Sequence, residues 1–205
     1  MVTAMDAATS LRERKKTATR LALHRAVSEL AVTKGLDAVT VDAIADLANV
    51  SRRTFSNYFS GKEEALLYGE RMRYDRFLAE IRSRPARETP WQALCRSACV
   101  IVESLAAMDP VWIAQMRLVR RHPSLAAHQL ALQSTVEREL VAEILARTIG
   151  ERQPDLDELL RARVLAGTFL ATVRAAIAVW IDDQDHVSLP DVLQDALRHA
   201  AQRLH

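Results

Sequence analysis

The chain has 205 residues, of which 49% are hydrophobic and 26% are charged, as in an ordinary soluble globular protein of one or two domains. Its formal net charge of +2 is unevenly placed. Residues 1–62 contain ten Lys and Arg against six Asp and Glu, whereas residues 63–205 contain eighteen against twenty. The N-terminus lacks the apolar core of a secretory signal, and the longest apolar run, residues 164–181, contains Arg174. We therefore exclude a secreted or membrane-spanning protein, predict a cytoplasmic location, and expect nucleic acid to bind the basic first third.

The few glycines and prolines predict an all-α chain of about nine helices. The predicted helices cover residues 11–34, 41–48, 51–59, 62–82, 90–107, 110–122, 124–149, 155–181 and 188–205. The first three form a predicted helix-turn-helix DNA-binding domain, residues 1–61, whose basic arm is residues 1–20. A larger helical domain follows in residues 62–205.

Two short amphipathic helices are predicted between Thr40 and Lys62. Thr40 suits the N-cap of the first helix, because its hydroxyl can accept a hydrogen bond from a first-turn amide. The buried stripe of this helix is predicted to consist of Ile44, Leu47 and Ala48, which recur at helical spacing.

The turn between the two helices is predicted at Asn49 and Val50, because asparagine tolerates a left-handed backbone. Ser51 caps the second helix, and Phe55 and Phe59 face inward at i and i+4. The residues left pointing outward are Arg52, Arg53, Ser56 and Asn57.

This arrangement predicts a helix-turn-helix, whose second helix lies in the major groove of DNA. Arginine can bind guanine O6 and N7 with two hydrogen bonds, asparagine can do the same for adenine, and serine can bind bases or phosphates. The alternative interpretation is an ordinary helical hairpin with a solvated basic face.

The same region resembles the DNA-binding domain of tetracycline-repressor-type transcription regulators, over about the first third of the chain. The matching residues are Thr40, Val41, Ile44, Ala45, Ala48, Val50, Ser51, Thr54, Tyr58, Phe59, Lys62, Glu63 and Leu66. The chain departs from the family pattern at Asn49, where glycine is usual, and at Ser56, where an aromatic residue is frequent. The departure at Ser56 implies that this chain reads different bases from those read by better-known members of the family.

The resemblance implies phosphate contacts by Thr40, Tyr58 and Lys62. A cluster of basic residues at the start of the first helix is also suited to phosphates. A merely solvated helix end is the alternative for that cluster. The complete predicted DNA-binding set is Arg14, Lys15, Lys16, Arg20, Thr40, Ser51, Arg52, Arg53, Thr54, Ser56, Asn57, Tyr58 and Lys62.

The last two helices carry broad apolar surfaces and a strip of small residues, Gly167, Ala171, Ala175 and Ala178. We expect this pair to join its copy across a two-fold axis as a four-helix bundle, and the resemblance implies the same homodimer. Coverage of both faces within one subunit is the alternative. The predicted interface residues are Leu170, Val173, Ile177, Trp180, Val192, Ala196, Leu197 and Ala200.

The resemblance also implies that residues 62–205 form a ligand-binding and dimerisation domain. Its small-molecule pocket is enclosed by helices four to seven, and the ligand moves helix four and releases DNA. We predict a small apolar or amphipathic ligand, although plain core is the alternative for each lining residue. The candidate residues are Met72, Phe77, Trp91, Cys95, Met108, Trp112, Met116 and Phe169. No cofactor and no metal site are predicted, and Cys95 and Cys99 are interpreted as reduced, buried thiols, with a redox or metal role as the alternative.

The sequence therefore predicts a dimeric repressor that binds an inverted-repeat operator in double-stranded DNA and is released by a ligand. An enzyme is disfavoured because no phosphate loop, nucleophile elbow or H-E-x-x-H motif is present. A helical adaptor that binds another protein, without specific DNA binding, is the remaining alternative.

Overall fold

The computed structural model describes residues 3–105, 110–183 and 187–202. For residues 3–10, 105, 110–112 and 121 it describes the backbone only. Within these ranges all regular structure is helical, which confirms the predicted all-α class. The elements are α1 (Thr3–Lys34), a 3₁₀ turn (Leu36–Ala38), α2 (Val41–Leu47), α3 (Arg52–Ser56), α4 (Lys62–Ser83), α5 (Pro90–Leu105), α6 (Pro110–Arg121), α7 (Pro123–Ile149), α8 (Leu156–Asp182) and α9 (Leu189–Ala201).

Helix boundaries follow local sequence signals. Gly35, with a φ of 79°, ends α1, and Gly150, with a φ of 67°, follows α7, as expected for residues that enter the left-handed region without a steric penalty. Asp155 and Glu158 form a reciprocal capping box at the start of α8. The first helix begins at Thr3 rather than at Leu11, and its opening residues include the good helix formers Ala4, Met5, Ala7 and Ala8.

The chain divides into two compact units. One comprises the described residues through Arg71 together with Pro110–Gln129. The other comprises the described residues from Met72 to Leu105 and from Leu130 onward. Compactness does not show which residues bind DNA, so the functional boundary after residue 61 stays a prediction.

The core of the first unit joins α1, α2, α3 and the start of α4 to α6 and the start of α7. Val119 and Leu125, 7% and 0% exposed, pack in the same cluster as Val27 and Phe55. A buried polar contact accompanies this packing, because Gln115 Nε2 donates to the Leu66 carbonyl at 2.7 Å. Helix α6 is thus an integral part of the unit that contains the helix-turn-helix.

The second unit is built around the pairing of α8 with α9 and of α5 with α9. Phe169 of α8 stacks on Phe77 at 5.3 Å between ring centroids and meets the edge of Trp91 at 6.2 Å. Arg147 of α7 closes the loop between α4 and α5 by donating to four backbone carbonyls, those of Ile81, Arg84, Pro85 and Glu88.

Among the described helices, α8 alone is long and apolar enough to cross a membrane by length and composition. It nevertheless packs within the second unit through buried residues that include Phe169 and Trp180, and Arg174 on the same helix is exposed. These features are those of a helix that packs by one face within a folded domain.

Candidate nucleic-acid interface

Helix α2 has the predicted N-cap, but the face that it buries differs from the predicted one. The Thr40 hydroxyl accepts from the Ala43 amide at 3.2 Å, and Ile44 and Ala45 are buried. Leu47, predicted to be buried, is 47% exposed. At roughly 100° per residue, the face centred on Ile44, Ala45 and Ala48 leaves Leu47 about a quarter-turn away from the core. The predicted stripe is therefore wrong at Leu47, whose place Ala45 takes.

The turn and the start of α3 follow the prediction. Asn49 adopts a φ of 54°, the left-handed conformation that the turn requires. The Ser51 hydroxyl accepts from the Thr54 amide at 3.0 Å and caps α3. Phe55 and Phe59 are buried, with ring centroids 6.0 Å apart. The two aromatic rings thus anchor α3 to the core, which leaves its opposite face available.

That opposite face carries the residues predicted to read DNA. Arg52, Arg53, Ser56 and Asn57 are all exposed. Thr54 is half-buried, and its hydroxyl lies 2.9 Å from that of Ser51. Two guanidinium groups and one hydroxyl on α3, with one carboxamide at its C-cap, offer hydrogen-bond donors and acceptors complementary to those of base edges in the major groove.

Basic and aromatic groups from neighbouring elements lie beside α3. The guanidinium of Arg20 lies over the Tyr58 ring, 5.8 Å from its centroid, in a cation–π contact. The Lys62 ammonium donates to the carbonyls of Leu36 and Val39 at 2.9 and 3.0 Å, and so ties α4 to the segment after α1. Two of its three N–H groups are thereby engaged within the protein. The remaining predicted phosphate-binding side chains of α1, all exposed, are Arg14, Lys15 and Lys16.

A second tie fixes α4 against α1 and was absent from the sequence interpretation. The His24 ring nitrogen Nδ1 lies 3.0 Å from the Ala65 carbonyl, and the ring packs edge-on against Tyr68. The ring occupies the space beside Gly69, where an added Cβ would come within 2.5 Å of Nε2. The sequence signal for this contact is Gly69 itself, since a glycine within a helix often marks the close approach of another group.

The predicted ligand-binding residues are distributed over both units. Phe77 and Phe169 are buried and stacked on each other. Trp91 and Cys95 line a cleft of about 560 Å³ beside α5 and α9 in the second unit. Met72 and Met116 are half-buried. Of the last two candidates, Met108 lies outside the described residues, as does the side chain of Trp112.

The predicted dimer residues are partly covered within one chain. Leu170, Trp180 and Leu197 are buried, with 7%, 6% and 4% exposure. The half-buried members of the set are Val173, Ile177, Val192, Ala196 and Ala200.

The thiols of Cys95 and Cys99 are half-buried and unbridged. Burial raises the pKa of Cys95 to about 12 and also raises that of Cys99. Among the described residues, no group of three or more His, Cys, Asp or Glu is arranged to hold a metal ion.

Two family models match the chain. Residues 23–68 match the model of bacterial regulatory proteins of the tetR family, which spans the helix-turn-helix. Residues 88–205 match the MftR C-terminal domain, which covers more than half of the chain. The HTH-type transcriptional regulator TcmR from Streptomyces glaucescens is 34% identical, over 91% of this chain and 84% of that protein.

Solved structures of similar fold extend over most of the chain. Thermus thermophilus FadR, a transcriptional repressor in complex with lauroyl-CoA, is 25% identical with a TM-score of 0.54, covering 89% of this chain and 93% of that one. Bacillus subtilis FadR, in complex with stearoyl-CoA, is 21% identical with a TM-score of 0.59, covering 90% and 99%. The chain therefore belongs to the TetR family of bacterial transcription regulators, and it is a DNA-binding regulator rather than an enzyme.

Proposed function

We propose that this regulator is a cytoplasmic repressor that binds an inverted-repeat operator as a homodimer through α3 and is released by an amphipathic ligand. The observation that carries the DNA-binding part is the exposed face of α3, where Arg53 and Asn57 project from a helix anchored by Phe55 and Phe59. Its N-terminal end offers hydrogen-bond donors suited to base edges in the major groove.

Selection of bound sequences from a random double-stranded DNA pool, at near-physiological salt, tests this proposal. We expect enrichment of an inverted repeat whose half-sites lie about one helical turn apart. Arg53→Ala should weaken binding to the selected site more than binding to random DNA, because base contacts are specific to sequence. Arg87→Ala, an exposed arginine of the second unit, is the matched control and should change neither. Equal losses on both DNAs for Arg53→Ala would assign this residue to phosphate contacts alone.

The homodimer is supported by an apolar surface of α8 that the described residues of a single chain leave uncovered. Leu160, Val164 and Val179 are 58%, 52% and 59% exposed, and Ala171 and Ala175 between them are exposed small residues. Small residues allow two helices to approach closely, and large exposed apolar side chains favour burial. We therefore place the interface on this surface, next to the pairing of α8 with α9, rather than on the covered side chains of Leu170, Trp180 and Leu197.

Sedimentation at micromolar concentration tests the dimer. Wild type should have twice the mass of one chain, and Ala171→Glu should shift it toward the monomer by placing a charge in the apolar interface. Ala127→Glu makes the same change at an exposed helical position of α7 and should leave the mass unchanged. A wild type with the mass of one chain would refute the dimer.

The ligand is proposed from chemistry in the second unit and from one relative. The cleft of about 560 Å³ combines apolar side chains, among them Trp91 and Val100, with Arg96 and Arg198. This combination suits a molecule with an apolar chain and an anionic end. Thermus thermophilus FadR is described in complex with lauroyl-CoA, which is an amphipathic anion of this class.

Thermal unfolding with lauroyl-CoA tests this class of ligand. We expect lauroyl-CoA to raise the Tm of the protein and to release operator DNA, while coenzyme A alone does neither. Val100→Asp, 42% exposed at the cleft, should abolish the shift by repelling the anion. Val32→Asp, 40% exposed on α1, is the matched control. A shift that survives Val100→Asp would place the ligand elsewhere.

A further inference from the structure

Helix α3 opens with two consecutive arginines that differ in their surroundings. The Nη1 group of Arg52 donates to both carboxylate oxygens of Asp42 on α2, at 3.0 and 3.3 Å. For Arg53 the structure records no ion pair or side-chain hydrogen bond among the described residues. The contact with α2 thus distinguishes Arg52 from Arg53.

The pair of Asp42 and Arg52 contributes little to folding. The side chains are 61% and 69% exposed, and exposed ion pairs of this kind are strongly screened by solvent. Its effect is on orientation, because the contact restricts a long side chain that would otherwise sample many rotamers. Ordering such a side chain before DNA arrives removes part of the cost of binding.

The contact also determines which edge of the guanidinium remains available. Asp42 engages Nη1, which leaves the edge formed by Nε and Nη2. In this chain that edge is suited to two parallel hydrogen bonds, since Arg84 uses Nε and Nη2 to bind the two carboxylate oxygens of Glu88 at 2.9 and 2.5 Å. Guanine presents O6 and N7 in the major groove at a spacing that matches the same edge.

We propose that Asp42 is a specificity-determining positioning residue, which holds Arg52 by Nη1 so that its Nε and Nη2 edge reads one guanine in each half-site. The proposal rests on DNA binding by α3. It assigns Arg52 to base recognition and gives α2, through Asp42, a role in the choice of sequence.

Four variants of the full-length protein test the proposal in DNA selection and in titrations of matched oligonucleotides. Arg52→Ala should lower the preference for guanine at one position of each half-site by roughly 5- to 150-fold, the range for a good bidentate contact. Asp42→Asn should lower the same preference by about 2- to 12-fold per half-site, the cost of ordering one long side chain. Asp42→Glu, which retains the carboxylate, should restore most of it. The double variant, Asp42→Asn with Arg52→Ala, should match Arg52→Ala alone.

Removal of a negative charge by itself favours DNA of any sequence, so a charge control is needed. Asp46→Asn makes the same charge change on α2, at an exposed residue with no recorded contact to Arg52. It should raise affinity for random DNA as Asp42→Asn does, and leave the guanine preference unchanged. An unchanged preference in Asp42→Asn, or an equal loss in Asp46→Asn, would overturn the positioning role. If wild type itself selects no sequence, DNA recognition by α3 fails, and that result is distinct from a selective wild type whose preference ignores Asp42.

Discussion

Lys62 has two candidate roles, in the stability of the fold and in the binding of DNA, and one substitution can distinguish them. The resemblance implies that it binds phosphate, whereas in the structure its ammonium donates to the carbonyls of Leu36 and Val39 at 2.9 and 3.0 Å. Lys62→Met keeps most of the aliphatic stem and removes both hydrogen bonds. The Leu36 carbonyl still accepts from the Val39 amide at 3.1 Å, but the Val39 carbonyl loses its recorded partner.

We expect Lys62→Met to lower the free energy of unfolding by about 2–3 kcal/mol, since hydrogen bonds to charged groups contribute about 1.5–3 kcal/mol each and this lysine is only half-buried. Urea unfolding at one fixed protein concentration measures the loss, because the stability of a dimer depends on concentration. Lys34→Met, at an exposed lysine at the end of α1, is the matched control and should lower stability by at most about 1 kcal/mol, the contribution of a cation at a helix C-terminus.

The salt dependence of operator binding tests whether Lys62 also contacts a phosphate. If the third N–H group of Lys62 reaches a phosphate, Lys62→Met reduces the slope of log K against log salt by about 0.9 per subunit. Unchanged stability together with a reduced slope would refute the structural role and leave Lys62 as a phosphate contact only.

Three further predictions concern packing and ionisation. Gly69→Ala should destabilise the wild type, because the new Cβ meets the His24 ring, but it should stabilise the His24→Ala variant, because alanine has the higher helix propensity. Urea unfolding of the wild type, the two single variants and the double variant should show a coupling free energy of about 1–3 kcal/mol. Equal effects of Gly69→Ala in both backgrounds would contradict the contact. Hydrogen bonds from Arg84 lower the pKa of Glu88 to about 2 from its ordinary 4.5, against the opposing effect of burial. Charged Glu88 therefore stabilises the fold above about pH 4.5, and the stability advantage of wild type over Glu88→Gln should shrink as the pH falls toward 2, as followed by urea unfolding across that range; an advantage independent of pH would contradict it. Because burial raises the pKa of Cys95 to about 12, alkylation of this thiol by iodoacetamide at pH 8 should be at least about a hundredfold slower than in urea-unfolded protein, and equal rates would show an exposed thiol. Burial also raises the pKa of Cys99, so its alkylation should be slowed as well.

Local signals made the helix-turn-helix predictable. Thr40 and Ser51 cap α2 and α3 through hydroxyls that reach amides three residues away, and Asn49 takes the left-handed turn. Each of these interactions lies within a few residues of sequence, where spacing and residue type carry the whole argument. The inward placement of Phe55 and Phe59 followed from helical period in the same way.

Contacts between distant residues were beyond such reasoning. Periodicity shows that a face is apolar but does not identify what covers it. Leu170 and Trp180, which are predicted at the dimer interface, are already buried within one chain. Only the packing of α8 against its neighbours shows which part of this helix stays exposed, namely the surface that includes Val164 and Val179. Gln115 gave no sequence signal for its bond to the Leu66 carbonyl, 49 residues away.

The sequence by itself determined the helical class, the helix-turn-helix and the outward residues of α3, because caps, turns and amphipathic period are local properties of the chain. Only the tertiary structure decided that α6 belongs to the same compact unit as α3, that Lys62 binds backbone carbonyls, and that Asp42 holds Arg52. These outcomes depend on side chains brought together by the folding of separate helices, and a pairing of that kind leaves no fixed spacing in the sequence.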